Sequence, residues 1–218
     1  MNERVGGLCC WSAPHPEWTP GHGWQRDVWA YCVDTEHTVV VVDPITPLGD
    51  EAHQLHEWIA NRQKPVVVAL SRAGHFRDSA GFSRQYEASI YGDARAGERV
   101  PPDVEFHALS AGDALPGGGA CVLAFDVPGL DHTPLYFSSH RAIVPGDILV
   151  RAEGELRLWW VPEDDDDLRF LSERHIPALR RWLESPIDHV LTSHGMPTLG
   201  RGGHELAAAL ARPIWAIS

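Results

Sequence analysis

The 218-residue sequence lacks the cysteine pattern that would place it in a redox or zinc-ribbon class. It contains four cysteines, and no two of them have Cys-x-x-Cys spacing. Such cysteines are typical of reduced, partly buried thiols in a compartment where disulfides are rare. We therefore expect neither a disulfide framework nor a cysteine-ligated metal.

Positive charge and long apolar segments are also scarce. The chain has 18 Lys and Arg against 30 Asp and Glu, a net charge of −12 that repels phosphate backbones and anionic lipids. No run approaches the roughly 18 apolar residues that cross a bilayer, and the N-terminus lacks the apolar core of a secretory signal. We expect a cytoplasmic protein that binds neither nucleic acid nor membranes and whose partner is a small molecule.

Two short apolar segments indicate a sheet that is covered on both faces. Residues 38–42 and 66–70 are rich in valine and show no polar alternation. Between them, Leu55 and Ile59 have helical spacing, and Asp50 is the predicted N-cap. Such a strand–helix–strand unit predicts a parallel crossover in a layered α/β core.

The rest of the chain predicts a second, mostly antiparallel sheet and further helices. The first 26 residues are expected to be irregular. Strands are expected at 27–33, 104–109, 120–127, 135–138, 142–144, 156–161 and 187–193. Helices are expected at 82–91, 168–183 and 205–210. No linker or low-complexity boundary divides residues 1–218. The predicted fold is therefore a single-domain, four-layer αββα sandwich, with two mixed sheets and helices on the outer faces.

Four partial motifs follow one another at the ends of predicted strands. The first is Ser-Arg-Ala-Gly-His-Phe-Arg-Asp-Ser-Ala-Gly over residues 71–81, which carries His75, Arg77 and Asp78. The second is Val-Pro-Gly-Leu-Asp-His over residues 127–132, and the others are a Gly-Asp turn at Asp147 and a Ser-His-Gly strand end at His194. The order of all four is far more specific than any one of them.

This order resembles the metallo-β-lactamase fold superfamily over nearly the whole chain. In that superfamily the first loop reads Thr-His-x-His-x-Asp-His-x-Gly-Gly, and its side chains hold two metal ions together with a later His, a bridging Asp and a final His. With the register anchored on Gly81, His75 and Asp78 keep ligand positions, whereas Ala73 and Arg77 replace ligands. That register requires one inserted residue after Ser71.

The resemblance implies a metal-dependent hydrolase with a partly lost two-metal site. The donors it retains are His75, Asp78, His132, Asp147 and His194. They imply one divalent ion, most simply zinc, with manganese or iron as alternatives, and water-activated hydrolysis of an ester, thioester, lactone or amide.

A metal-free protein is the competing interpretation. Arg77 places a fixed positive charge among the ligand positions, and its pairing with Asp78 or Asp147 would replace the charge of a lost metal. The fold would then serve to bind an anionic small molecule without catalysis. Alternatively, it would serve as a structural subunit that forms a homodimer through the Trp-rich N-terminal segment.

Overall fold

The computed structural model describes residues 2–21, 24–124, 131–160 and 162–213, with the backbone alone for 2–5. Thirteen strands lie in this part of the chain: β1 Asn2–Val5, β2 Leu8–Pro14, β3 Asp27–Asp34, β4 Val39–Val42, β5 Val66–Ala69, β6 Ile90–Gly92, β7 Phe106–Ala108, β8 Cys121–Val122, β9 Leu135–Phe137, β10 Ala142–Val144, β11 Leu149–Ala152, β12 Glu155–Leu158 and β13 His189–Val190. The α-helices are α1 Asp50–Ala60, α2 Ser79–Tyr86, α3 Asp165–Phe170, α4 Ile176–Arg180 and α5 Gly202–Ala209.

The first sheet contains seven strands in chain order, β1 to β7. Its first four strands pair antiparallel, and β4 to β7 pair parallel. The crossover through α1 aligns Val39 with Val66 and Val42 with Ala69. Because parallel strands end at the same edge, the residues that follow β4 and β5 are brought close together.

The second sheet has the order β13-β10-β9-β8. Strand β10 pairs parallel with β13 and antiparallel with β9. Strands β11 and β12 form a separate hairpin, with Leu149 opposite Leu158. The turn before β11 and the chain after β13 therefore lie at neighbouring strand ends.

Three apolar cores separate the layers, because alternate residues of each strand face opposite sides. On one face of the first sheet, Cys9 and Val41 pack with Leu55 of α1. On its other face, buried residues of β4 and β5 pack against β9 and β10. The far side of the second sheet packs against Leu171, Leu179 and Leu206 of the C-terminal helical segments. The observed arrangement is the predicted αββα sandwich.

Several local predictions were wrong. The first 26 residues are not irregular throughout, because β1 and β2 extend the sheet from β3, with Cys9 opposite Cys32. The segment at 104–109 joins the first sheet in parallel through β7, not an antiparallel second sheet. Ile90 and Tyr91, expected to end the helix at 82–91, instead belong to β6. At α1 the N-cap is Gly49, so Asp50 stands at the first helical position.

The C-terminal helical region runs through α3, a π-helical turn, α4 and a 3₁₀ turn as far as Glu184. None of the helices that the structure describes is long and apolar enough to cross a bilayer. The Pro-Gly turn expected at 127–130 lies outside the described residues.

Candidate metal centre

Three buried side chains from three strand ends meet at one edge of the sandwich. His75 ends a 3₁₀ turn shortly after β5, Asp147 lies in the turn between β10 and β11, and His194 follows β13. One potential ligand atom from each residue lies within 4.8 Å of the other two. Asp147 Oδ1 is 3.2 Å from His75 Nε2 and 3.4 Å from His194 Nε2.

Glycines next to two of these residues make the close approach of the chains sterically feasible. Gly146 has φ +63°, and a Cβ there would lie 2.9 Å from the carbonyl oxygen of Ser71. Gly195 has φ +77°, and a Cβ there would lie 2.5 Å from the carbonyl oxygen of Arg151. The Gly-Asp and His-Gly pairs of the sequence are therefore required by backbone packing at the site.

Asp43, which directly follows β4, is a buried carboxylate behind His75. It accepts hydrogen bonds from the backbone N–H of Ser71 at 2.8 Å, from the Ser71 hydroxyl, and from the Ser193 hydroxyl at 3.1 Å. Its Oδ2 also lies 3.0 Å from His75 Nδ1. When the Nδ1–H of a neutral His75 donates its hydrogen bond to Asp43, Nε2 carries no proton. Its lone pair then faces Asp147 and is free to ligate a metal ion.

Asp43 was not among the predicted site residues, because an Asp-Pro pair directly after a valine-rich segment is typical of a turn. Its role depends on Ser71 and Ser193, which are 28 and 150 residues away in the chain. The sequence did contain a signal for this role. Asp43 directly follows β4, and β4 pairs in parallel with β5, the strand that precedes His75. Parallel strand ends of this kind commonly bring polar side chains into one site.

Arg72 supplies the cation that pairs with Asp147. Its Nη1 donates to Asp147 Oδ2, and its Nε donates to Asp131 Oδ1 at 3.1 Å. Arg77 contacts the edge of the site differently, with Nη1 donating to the carbonyl oxygens of Trp29 at 3.2 Å and Asp43 at 3.1 Å. Arg72 therefore forms the salt bridge to Asp147 that was considered for Arg77.

Arg77 is nevertheless an unusual residue. It has φ +38°, and its buried Nε and Nη2 have no hydrogen-bond partner in the described part of the chain. Burial lowers the pKa of its guanidinium, and the carboxylates of Asp43 and Asp147 oppose this effect. Its charge therefore acts on the two buried carboxylates through space.

Asp78 and His132 lie outside the three-residue group. The Asp78 carboxylate accepts from the backbone N–H of Thr46 at 2.6 Å. His132 is mostly buried, and its Nδ1 is 3.7 Å from Asp131 Oδ1. Its backbone forms a β-bridge with Arg72, and a Cβ added at Gly146 would lie 3.0 Å from the Cδ2 atom of its ring.

The charges of the site balance without a metal ion. Burial would raise the pKa of Asp147, but His75, and after it His194 and Arg72, hold that pKa well below its usual value. Burial would also lower the pKa of His75, but the carboxylates of Asp147 and Asp43 raise it and favour the imidazolium. When His75 is protonated, Asp43, Asp131 and Asp147 face three cations: His75, Arg72 and Arg77.

His194 remains neutral among these charges. Burial lowers the pKa of its ring to about 4, although Asp147 opposes the shift. Trp24 and Trp159 pack edgewise against the ring, with centroid distances of 4.8 and 5.7 Å. A neutral, fixed imidazole is the form of histidine that ligates metals.

The three donors fit a divalent ion. Zinc bonds of about 2.0–2.1 Å in tetrahedral geometry separate neighbouring ligand atoms by roughly 3.3–3.4 Å. The two observed Nε2–Oδ1 separations of 3.2 and 3.4 Å lie close to this value. Two imidazoles and one carboxylate also form a donor set found in catalytic zinc sites, where a fourth position is left for water or substrate.

Comparison with known proteins gives a result at the level of the fold. No protein-family model and no curated protein matches the sequence. In structure, the chain is similar to the DIM-1 metallo-beta-lactamase exposed to ceftazidime, with a TM-score of 0.65 and 15% identity over 96% of this chain and 95% of that one.

Two further structures differ in their overall size. A metallo-beta-lactamase family protein from Thermus thermophilus gives a TM-score of 0.58 and 18% identity over 95% of this chain and 79% of that one. The flavodiiron protein from Giardia intestinalis gives 0.63 and 18%, over 96% and 57%. With the two-sheet sandwich described above, these similarities show that the chain has the metallo-β-lactamase fold.

Proposed function

We propose that this protein is a metal-dependent hydrolase whose centre holds one divalent ion through His75, Asp147 and His194. The observation that supports this most directly is the distance set, because both Nε2 atoms lie 3.2–3.4 Å from the same carboxylate oxygen. This spacing matches ligands of one ion. Zinc is the first candidate, and manganese and iron are the alternatives.

The residues of the chain have separate roles in this proposal. Asp43 accepts the Nδ1 proton of His75 and so keeps Nε2 available as a ligand. Trp24 and Trp159 shield the ring of His194 and fix its orientation. A bound divalent ion would supply a Lewis acid that polarises a carbonyl group and acidifies water. The substrate class is an ester, thioester, lactone or amide.

A metal-free binding protein is the second candidate. The observation in its favour is the ion pair between Arg72 and Asp147, which satisfies one oxygen of the central carboxylate with a fixed cation. Together with Arg77 and a protonated His75, it balances the buried carboxylates of the site. In that case the protein binds an anionic small molecule without catalysing its hydrolysis.

Elemental analysis of metal per chain separates the two candidates. We expect about one ion per chain in the untagged protein, and loss of that ion in Asp147→Ala and His194→Ala, since each removes a ligand. Asp78→Ala is the matched control, because its carboxylate contacts Thr46 instead of the group. Metal far below one per chain, unchanged by either ligand variant, would reject the hydrolase proposal.

Hydrolysis is then tested on the same preparations. The protein reloaded with zinc, manganese or iron is assayed against panels of esters, thioesters, lactones and amides, beside a chelated sample. Turnover that requires metal and is absent from His194→Ala supports the proposal. Stoichiometric metal without turnover of any panel member would leave a metal-binding protein and reject the hydrolytic step.

A further inference from the structure

The central carboxylate of the site faces two different cation positions. Asp147 Oδ1 points to His75 and His194, whereas Oδ2 accepts from the guanidinium of Arg72. The same guanidinium donates from Nε to Asp131 Oδ1 at 3.1 Å. The Arg72 guanidinium therefore bridges two carboxylates, and at Asp147 it contacts the oxygen that does not face the histidine pair.

The surroundings of Arg72 are those of a cation-binding position. Besides Asp131 and Asp147, the ring of His132 is close, since its Nδ1 lies 3.7 Å from the Asp131 oxygen that Arg72 contacts. The backbones of Arg72 and His132 form a β-bridge, and the His132 ring lies so near the Gly146 turn that a Cβ added at Gly146 would be 3.0 Å from its Cδ2 atom. Two carboxylates and an imidazole make a donor set suited to a divalent ion.

We propose that the guanidinium of Arg72 occupies a second cation position and thereby limits the centre to a single metal ion. This inference rests on the proposed function, in which His75, Asp147 and His194 hold the first ion. An arginine keeps its positive charge at any physiological pH and forms directional hydrogen bonds to carboxylates. Because the side chain is attached to the protein, a free divalent ion must compete with a cation that is always present.

Removal of this cation is expected to expose the second position. Arg72→Met keeps an unbranched apolar stem but leaves Asp131 and Asp147 Oδ2 without their partner. Two neighbouring carboxylates without a cation destabilise the metal-free protein and raise its affinity for a divalent ion. Arg72→His also removes the permanent cation and adds an imidazole donor.

Zinc stoichiometry is measured by isothermal titration calorimetry and by elemental analysis after gel filtration. We expect about one zinc per chain in the wild type and about two in Arg72→Met and Arg72→His. The second ion should be lost in Arg72→Met/His132→Ala. Arg84→Met is the matched control, because Arg84 pairs with Asp103 in a more exposed salt bridge away from the site, and it should retain one zinc.

Thermal unfolding with and without a chelator gives a readout that is independent of activity. The increase in Tm caused by zinc should be larger in Arg72→Met than in the wild type, because metal replaces the missing cation. Far-UV circular dichroism of the zinc-loaded variants reports folding, and Arg72→His serves if Arg72→Met does not fold.

The outcomes distinguish this inference from the proposed function. One zinc in both the wild type and the Arg72 variants, or loss of zinc in those variants, overturns the role of Arg72 alone. No zinc in the wild type but binding in Arg72→Met supports the role of Arg72 and rejects the metal-dependent function of the natural chain. No zinc in any of these proteins overturns both.

Discussion

Asp43→Asn is the substitution that tests the site most sharply, because it changes one charge and almost no volume. Asp43 Oδ1 accepts from the Ser71 backbone, and Oδ2 lies near three groups: the hydroxyls of Ser71 and Ser193, and His75 Nδ1. Every one of these neighbours is able to donate a hydrogen bond. An amide that replaces the carboxylate must direct its NH₂ group either toward the Ser71 backbone N–H or toward the three groups near Oδ2.

Both orientations of the asparagine carry a penalty. With NH₂ at the Oδ1 position, two donors oppose each other at the Ser71 backbone N–H. With NH₂ at the Oδ2 position, His75 must accept at Nδ1 and carry its proton on Nε2, the atom proposed to bind metal. A buried donor without a partner costs about 1–3 kcal/mol, and perturbing a metal ligand's hydrogen-bond partner lowers metal affinity about 10–100-fold.

The expected results are therefore quantitative. For a chain of this size about 1 kcal/mol corresponds to roughly 2–4 °C in Tm, so the chelated Asp43→Asn protein should melt about 2–12 °C below the wild type. Competition with a chromophoric chelator gives the zinc Kd, which should rise about 10–100-fold. The control is Asp78→Asn, whose carboxylate accepts from Thr46 outside the group.

An unchanged zinc Kd in Asp43→Asn would refute the argument about the His75 tautomer. A loss of unfolding free energy below about 0.5 kcal/mol, the range of an ordinary surface substitution, would refute the argument about the buried carboxylate. The two measurements are separate, so each argument is tested independently.

Two further predictions concern backbone strain and buried charge. Gly146→Ala should lower the free energy of unfolding in urea more than Gly154→Ala. Both substitutions force a side chain into positive φ at a cost of about 1–2 kcal/mol, but only Gly146→Ala places a Cβ 2.9 Å from the Ser71 carbonyl oxygen. Equal losses of stability would contradict this. Burial lowers the pKa of His175 to about 4, below its value of about 6.5 in the unfolded chain. The unfolded state therefore binds the proton first, so this residue's contribution is present above about pH 6.5 and declines toward pH 4 by at most about 1.4 kcal/mol per pH unit. His175→Phe should flatten urea-derived stability across that range, and an unchanged pH slope would contradict the assignment.

Much of the fold could be predicted from local patterns. The valine-rich segments at 38–42 and 66–70, with Leu55 and Ile59 between them, indicated the crossover through α1. The N-terminal strands were missed because β2 draws on Cys9, Cys10 and Trp11 without simple alternation, and its pairing with β3 decides its conformation. The sequence did not predict that β7 belongs to the first sheet, because its parallel pairing with β6 depends on tertiary interactions.

The site was predictable only in part, for a similar reason. His75, Asp147 and His194 stand at strand ends that the motif order indicated, and the structure brings these three side chains together. Asp78 follows His75 closely in the chain but belongs to the entry of α2, where its carboxylate reaches Thr46. Whether Arg72 or Arg77 faces Asp147 depends on the direction of each side chain. The sequence of an irregular loop does not predict that direction.

Apolar periodicity and turn residues act over short stretches of chain, so they were sufficient to predict the layered α/β architecture and the polar side chains at strand ends. The support of His75 by Asp43 and the pairing of Arg72 with Asp147 became visible only in the folded chain. Both contacts join residues that are tens of positions apart, and burial makes their charges interact strongly. The charge balance of this site is therefore a property of packing.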